Sequence, residues 1–200
     1  MNRCALWIEG LEEPLHVRHF QIQEALSRNF ACTIVARTSA PDIDIDTPIW
    51  APAVFSLHAG LVHVEGGGVR QWAGVVEAIR QIEVEPSGLS TYDIRIVSRL
   101  FLLTQSHNYR IFQRKTIPEI IETQLEEWHV ERKLRLCRDS FPTLACRTQY
   151  GESDFSFVLR LCEESGITFY HIPDPYFGSI VLFTDDPSAN ASRAGAPLSF

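Results

Sequence analysis

The first half of the chain consists of short β-prone segments separated by turn residues, and this pattern limits the fold more than any other feature. From Cys4 to about Leu103, β-branched and aromatic residues recur between Gly, Pro and Asp, and no helical period persists. Leu15–Gln23 nearly alternates apolar with polar residues and precedes Phe30–Ala36, which predicts two antiparallel neighbours, and Ser90–Ser98 alternates cleanly. About seven such strands with short turns predict a β-barrel or a β-sandwich.

Three consecutive glycines at 66–68 separate two of these segments. Leu57–Glu65 precedes them and Val69–Glu85 follows, so we expect a hairpin whose connection uses the positive φ angles open to glycine. A phosphate-binding loop would need a helix directly after the glycines, but Gln71–Glu77 has strand character. The glycines therefore indicate a turn.

After residue 105 the pattern changes to a mixture of helices and strands. Thr116-Ile117-Pro118-Glu119 has the spacing of a capping box and predicts a helix start. The apolar residues that follow recur on one face of an amphipathic helix: Ile117, Ile120, Ile121, Leu125 and Trp128.

A second amphipathic helix is predicted between a cap at Ser153 or Asp154 and a left-handed Gly166. Its expected buried stripe is formed by Phe155, Val158, Leu159 and Cys162. Ile167–Tyr170 and Ser179–Thr184 predict two short strands around a Pro-Asp-Pro loop, and the composition from Asp185 onward predicts a loop. The end of the chain at Phe200 has no obvious final element, so we expect a truncated segment, either an expressed fragment or a short gene.

Charge and hydropathy exclude several classes of protein. The net charge is −7 and no basic region stands out, which argues against nucleic-acid binding. No apolar run reaches the roughly 18 residues of a membrane span, and Glu9 interrupts the start where a signal peptide needs apolar residues. We therefore expect a soluble protein made in the cytoplasm, without a membrane anchor.

Candidate metal and thiol sites are weak. Five cysteines at wide spacings lack a CxxC pair, so we expect reduced thiols. Four of them lie beside apolar or β-prone residues, where cysteine behaves as a small hydrophobic residue. His16 and His19 are three positions apart, which in a regular strand places them on opposite faces. Asp42–Asp46 resembles the start of a calcium loop, but Thr47 and Ala53 occupy positions that need Gly and Glu, so an acidic loop or edge strand is expected. We predict no metal and no cofactor.

The segment Cys146–Tyr170, CRTQYGESDFSFVLRLCEESGITFY, closely resembles a signature of the VgrG family. These are the spike proteins of bacterial type VI secretion, which are similar to the central hub of contractile phage tails. Tyr109–Gln113 and Thr116–Ile121 upstream, and Leu182–Asp185 downstream, support the resemblance, which is strong from about 100 to 185 and covers 1–200 mainly by strand order elsewhere.

The resemblance implies an α+β, mainly β fold. It predicts a tube-like antiparallel β-barrel domain at 1–105, followed at 106–200 by a small α+β hub segment with two amphipathic helices. In this family each chain contributes two barrels, and three chains form a ring of six that sits on the hexameric tube protein Hcp. The second barrel, the neck and the β-helical spike would lie outside these residues.

The resemblance also implies a set of signature residues with a structural role: Arg110, Phe112, Gln149, Tyr150, Glu152, Ser153, Asp154, Phe157, Arg160, Leu161, Glu164, Gly166, Ile167 and Tyr170. Two interpretations of the charged members are open. They are either solvated or locally paired, or Arg160 pairs with Asp154, Glu152 or a neighbouring subunit, with Glu163 as a further candidate for an inter-subunit ion pair.

The predicted function is therefore structural: the hub region of a type VI spike, homotrimeric in the intact protein. Its expected partners are Hcp, baseplate components and, through downstream regions, effectors or a tip protein. It would be cytoplasmic until assembled and then secreted or translocated into a target cell. The main alternative is the baseplate hub of a contractile phage or pyocin tail.

An enzyme and a ligand carrier are the rival classes. Gly151-Glu152-Ser153-Asp154 lacks the second glycine of a nucleophile elbow, and no Asp or Glu stands alone inside an apolar run, so we predict no catalytic residues. Enzymatic extensions of some family members would lie beyond these residues. A lipocalin-like barrel is disfavoured by the α+β second half, and a deep apolar cavity would be its mark.

Overall fold

The computed structural model describes residues 4–40, 43, 45–46, 48–58, 69–86 and 88–189. Six strands from the first half form one antiparallel sheet in the order β1-β4-β5-β6-β3-β2. Their bounds are β1 Cys4–Ile8, β2 His16–Gln23, β3 Ala31–Thr38, β4 Pro52–His58, β5 Val69–Val84 and β6 Ser90–Val97. The predicted neighbours β2 and β3 pair antiparallel, as do β4 and β5. The glycines at 66–68 lie outside the described residues.

The six-stranded sheet curls into a half-barrel around a core of side chains. Phe55, Tyr92, Ile34 and Ile94 are almost completely buried there, together with other apolar residues of the sheet. Close packing of this kind fills the interior, so the curled sheet encloses side chains where a carrier would have an apolar cavity. The predicted mainly β fold with an antiparallel barrel-like first part is confirmed.

Irregularities in the strands change one sequence-based expectation. The pairing of β2 with β3 shifts between Val17 and His19, which marks a β-bulge at Arg18. Because of the extra residue, His16 and His19 both lie on the exposed face, opposite Arg37 and Val35 of β3. The expectation that the two histidines point to opposite faces is therefore wrong. In the acidic stretch 42–46, Asp42 and Asp44 lie outside the described residues.

The second half forms a separate α+β layer. It contains β7 His107–Lys115, α1 Ile117–Glu127, β8 Arg132–Arg135, β9 Leu144–Ser153, α2 Asp154–Ser165, β10 Thr168–Asp174 and β11 Gly178–Thr184. β7 and β9 form a two-stranded antiparallel ribbon, and β10, β11 and β8 form a sheet in which β11 and β8 are parallel. Short 3-10 helices at Arg99–Thr104 and Pro187–Ala189 complete the described elements.

The expectation of strand character as far as Leu103 is wrong. Arg99–Thr104 is a 3-10 helix, and it buries Leu100 and Leu103 completely in the core of the second half. The leucine-rich run was equally compatible with a strand or a helix, because short apolar runs do not distinguish the two. This 3-10 helix connects the curled sheet to the α+β layer.

The first helix begins as its capping box predicts. Thr116 Oγ1 accepts a hydrogen bond from the Glu119 N–H, and the Glu119 carboxylate accepts one from the Thr116 N–H at 2.7 Å. This second bond is the main reason that the pKa of Glu119 is lowered. Ile120, Ile121 and Leu125 are buried, which confirms the predicted apolar face.

The second helix has the predicted ends but a rotated buried face. Ser153 is the N-cap and accepts from the Ser156 N–H, while Gly166 ends the helix at a φ of 68°. Phe155 and Leu159 are only partly buried, in contrast to the predicted stripe. Val158 and Cys162 of the predicted stripe are buried, and the other buried residues of α2 are Asp154, Phe157, Leu161 and Ser165. The rotation arises because α2 is covered on its Phe157 side by the ribbon.

Hydrogen bonds fasten the two halves at two points. The Ser27 N–H donates to the Phe169 carbonyl at 2.7 Å, and the Phe169 N–H donates back to Ser27 Oγ. The Ala73 N–H donates to Ser179 Oγ at 3.0 Å, and this hydroxyl donates to the Ala73 carbonyl. His171 packs edge-on against Phe30 near these contacts between the two halves, and burial lowers the pKa of His171 to about 4.

Several classes of site can be assessed in the described part of the chain. All five cysteines are free thiols; Cys32 and Cys162 are buried, and burial is the main cause that raises the pKa of each to about 12. Cys137 and Cys146 are exposed, in contrast to the expected hydrophobic role. Within the described ranges, no three His, Cys, Asp or Glu side chains converge as metal ligands, and no helix is long and apolar enough to cross a membrane.

Candidate functional site

The signature segment 146–170 folds into three consecutive elements: the last part of β9, all of α2 and the start of β10. β9 runs directly into α2, because Ser153 is both the last residue of the strand and the N-cap of the helix. The signature therefore determines an abrupt strand-to-helix junction. Most of the predicted residues lie at or near this junction.

A buried carboxylate is at the centre of the junction. Asp154 is completely buried, and its Oδ1 accepts hydrogen bonds from Asn108 Nδ2 and Gln149 Nε2, both at 2.8 Å. Its Oδ2 accepts from Trp128 Nε1 at 2.9 Å. All three donors are neutral, and Asp154 lies in the first turn of α2, where the helix dipole favours a negative charge. The carboxylate thus holds β7, β9, α1 and α2 together.

Sequence reasoning identified Asp154 and Gln149 but missed Asn108 and Trp128. Asn108 is in β7 and Trp128 is the C-cap of α1, so both reach Asp154 from elements distant in the sequence. Trp128 was predicted only as part of an apolar helix face. The sequence did contain one indication of the Trp128–Asp154 contact. A buried tryptophan at the end of that face needs an acceptor for its indole N–H.

A second group of signature residues forms a charged ladder beside the junction. Arg160 Nη2 lies 2.5 Å from Glu152 Oε1, and Arg160 Nη1 lies 3.3 Å from Glu164 Oε1. Arg160 also donates to the Thr148 carbonyl at 3.2 Å, and Arg147 pairs with Glu164. Arg160 therefore pairs with Glu152 within the chain, one of the partners that the sequence left open.

The ladder lies against an aromatic stack. The Phe112 and Phe157 rings are stacked with centroids 5.5 Å apart, and the Arg160 guanidinium lies 5.3 Å from the Phe157 ring centroid. Arg110 forms an ion pair with Glu127 at 2.5 Å and so ties β7 to the end of α1. These contacts clamp α2 beneath the inner face of the ribbon.

The remaining predicted residues lie apart from the junction. Leu161 and Ile167 are buried in the second core, and Tyr170 faces Leu182 across β10 and β11. Glu163 is exposed on α2 and makes no ion pair with any residue that the structure describes. Tyr150 is on the outer face of the ribbon, 78% exposed, and contacts Tyr109 edge to face.

The chemistry of the junction is that of a structural joint. Ser153 Oγ is occupied as a helix cap, Asp154 is saturated by neutral donors, and Arg160 is bound by two carboxylates. A nucleophile needs an adjacent base within hydrogen-bond reach, whereas the partner of the Ser153 hydroxyl is the hydroxyl of Ser156. The arrangement rigidifies the junction and presents its outer surfaces in a fixed orientation.

Comparison with known proteins agrees with this description. Residues 23–200 match the family model for the phage tail baseplate hub (GPD). The chain is 31% identical over 188 residues to the type VI secretion system spike protein VgrG5 of Pseudomonas aeruginosa; the match covers 92% of this chain and 22% of that protein. This chain therefore spans about a fifth of the length of that relative.

Solved structures give the same result. The E. coli c3393 protein, described as a component of the type VI secretion system with structural similarity to the T4 tail proteins gp27 and gp5, superimposes with a TM-score of 0.83 and 30% identity. That match covers 94% of this chain and 50% of the other. The 43 kDa tail protein of prophage MuSo2 from Shewanella oneidensis has a TM-score of 0.66 at 13% identity, covering 99% and 58%, and thus shares the fold.

One family assignment follows from the structure and the comparisons together. The strand-to-helix junction, the curled antiparallel sheet, the sequence relatives and the solved structures all agree with it. A family model accounts for most of the chain, and a relative at 31% identity extends across 92% of it. The chain belongs to the phage tail baseplate hub family, and over nearly its whole length it is similar to a type VI secretion VgrG protein.

Proposed function

We propose that this chain is the hub region of a type VI secretion spike. The observation that carries the proposal is the combination of 30% identity and a TM-score of 0.83 with a component of that secretion system. Agreement in both sequence and fold over 94% of the chain favours the secretion spike over a phage tail hub, for which the MuSo2 relative offers fold likeness at 13% identity.

In the proposed role, three copies associate into a hub that caps the hexameric Hcp tube. A threefold object matches a sixfold tube when each subunit presents two similar barrel faces. The curled sheet described here would provide one such face, and a second barrel would come from regions beyond these residues. The role is mechanical and requires no chemistry on a substrate.

The same proposal assigns partners and location. The hub would contact baseplate components while it is cytoplasmic, and contraction would then drive it outward into the medium or a target cell. Effectors or a tip protein would be carried by downstream regions. The rigid junction around Asp154 supports this role, because a part that transmits force needs surfaces held in fixed orientation.

A second candidate function is the baseplate hub of a contractile phage or pyocin tail. The match of residues 23–200 to the phage tail baseplate hub model favours it. Both functions use the same architecture for the same purpose. They differ in the machine to which the hub belongs.

Deletion of the encoding gene, with any paralogues, tests the proposal. We expect Hcp to disappear from the culture medium, and to return when the intact gene is restored. Continued Hcp release after deletion would refute the secretion-spike function. Tail particles that are lost on deletion would then support the phage or pyocin hub.

A further inference from the structure

The bulge in β2 places two histidines side by side on the exposed face of the curled sheet. The pairing of β2 with β3 shifts at Arg18, which is the extra residue. His16 and His19 are therefore consecutive outward positions of β2. Their partners in β3, Arg37 and Val35, are two residues apart. In a regular strand the same spacing in sequence would put the two histidines on opposite faces.

The separation of the two histidines suits a shared metal ion. Consecutive positions on one face of a strand are about 7 Å apart, or two rises of roughly 3.3 Å. Two imidazole rings at that distance can lean toward one ion that lies about 2.0–2.1 Å from a nitrogen of each. Imidazole nitrogen is a good ligand for Zn²⁺, Ni²⁺ and Cu²⁺. The bulge thus produces the spacing of a chelating pair.

Both imidazoles are accessible and have no competing partner. His16 and His19 are exposed, and neither side chain has a hydrogen bond, ion pair or ring contact with a residue in the described ranges. β2 is also the last strand of the six-stranded sheet, so the pair lies at an edge. An ion can therefore reach both rings without breaking a described contact.

Two arginines neighbour the pair but leave room for a cation. Arg37, opposite His16, is turned toward the far side of β3: its Nε donates to Thr91 Oγ1 of β6 at 3.3 Å, and its Nη2 lies 2.7 Å from Glu85 Oε1. Its charge is thus paired and directed away from β2. Arg18 is exposed at the bulge. An exposed unit charge repels a nearby cation only weakly in water, so Arg18 lowers the affinity without closing the site.

We infer that His16 and His19 form a binding site for a divalent transition-metal ion on the outer face of β2. The two imidazoles supply two ligands and water supplies the others, so the site is an exchangeable one, unlike a closed structural zinc site with four protein ligands. In the described ranges no third His, Cys, Asp or Glu converges on the pair. The inference goes beyond the proposed function, which requires no metal, and it reverses the sequence-based expectation that these two rings cannot share an ion.

Relocation of one histidine tests the site while the number of histidines stays the same. Gln21 is the next outward position after His19. In the double variant His16→Gln/Gln21→His, the two histidines are again consecutive outward positions, so Ni²⁺ should bind as it does to the unsubstituted protein. In His19→Gln/Gln21→His they are two outward positions apart, roughly 13 Å, and one ion cannot contact both.

Calorimetric titration of the intact, metal-free protein with Ni²⁺ measures these affinities. The unsubstituted protein and the consecutive pair should each bind one more ion per chain than His16→Gln/His19→Gln, which gives the background of the rest of the protein. The separated pair should bind at least about tenfold more weakly, because chelation is lost. His107→Gln and His129→Gln, which change single exposed histidines elsewhere, should leave the affinity unaltered.

Removal of the neighbouring positive charge gives a further readout. Arg18→Ser should strengthen Ni²⁺ binding about twofold or more at low ionic strength, and this gain should shrink as salt is added. Equal affinities of the two relocation variants would overturn the inference, as would an unsubstituted protein that binds Ni²⁺ no better than the variant lacking both histidines. Neither result affects the test of the proposed function by Hcp release.

Discussion

Replacing the buried carboxylate Asp154 by its amide should loosen the whole strand-to-helix junction. Asp154 accepts from Asn108 and Gln149 on one oxygen and from Trp128 on the other. Asparagine has nearly the same shape but only one acceptor oxygen. Its amide group must then face at least one of the three donors. Trp128 Nε1 can only donate, and Gln149 could accept only by flipping its amide and giving up its bond to the Glu152 carbonyl.

The magnitude follows from this count of donors. If the remaining acceptor oxygen of the amide keeps the bonds to Asn108 and Gln149, the Trp128 indole N–H loses its acceptor, and a buried unsatisfied donor costs about 1–3 kcal/mol. The two retained bonds change from charged to neutral and weaken by roughly 1 kcal/mol in total, after allowance for the relieved desolvation of the charge. We expect Asp154→Asn to lower the free energy of unfolding by about 2–4 kcal/mol.

Urea denaturation followed by tryptophan fluorescence measures this change, because Trp128 reports directly on the junction. The matched control is Asp139→Asn, which makes the same chemical change at an exposed position. A shift of roughly 4–16 °C in melting temperature should accompany Asp154→Asn. If both variants unfold at the same urea concentration, the carboxylate does not organise the junction, and our account of the signature is wrong.

Three further changes test other parts of the structure. Burial lowers the pKa of His171 from its ordinary 6.5 to about 4, so the folded state binds fewer protons than the unfolded state below pH 6.5. Acidification from pH 7 to 5 should therefore lower the free energy of unfolding by about 2 kcal/mol in urea titrations. His171→Gln should abolish this loss, and His129→Gln, at an exposed position, should retain it. Gly74→Ala makes a Cβ clash with the Val97 carbonyl oxygen and should prevent soluble expression, whereas Gly88→Ala, in open space at a φ of 86°, should cost about 1 kcal/mol in the same urea assay. Ser153→Ala should cost about 1 kcal/mol by calorimetry and Ser153→Asp far less, since aspartate also caps a helix.

Local features of the sequence predicted local features of the fold. Both helix starts, the left-handed end at Gly166 and the antiparallel neighbours β2 and β3 follow from residues within a few positions of one another. Capping and alternation are short-range effects, so they can be recognised without knowledge of the tertiary structure. The same holds for the alternating strand β6, whose Tyr92, Ile94 and Ile96 are buried in the first core.

The features that were missed depend on contacts between distant segments. The sequence Tyr109–Gln113 was recognised as part of the resemblance, but its pairing with β9, about 40 residues later, was not predicted. The actual buried face of α2 depends on where the ribbon covers it, and the bulge at Arg18 depends on the partner strand. Pairing partners and bulges are set by tertiary packing, which overrides the local pattern.

The position of the signature residues explains why a structural protein can have so specific a motif. Asp154 stabilises the fold only when donors from β7, β9 and α1 all converge on it. Each hydrogen bond therefore contributes its full stabilisation only when the other two are present. A buried network of this kind, in which both Asp154 oxygens are satisfied, specifies one arrangement of elements more strictly than apolar packing does. That arrangement fixes the orientation of the β7–β9 ribbon on α2. In the trimeric hub of the proposed function, a ring would close only if its contact surfaces were held at a fixed angle, so the residues inside the junction would be constrained as tightly as those at the contact itself.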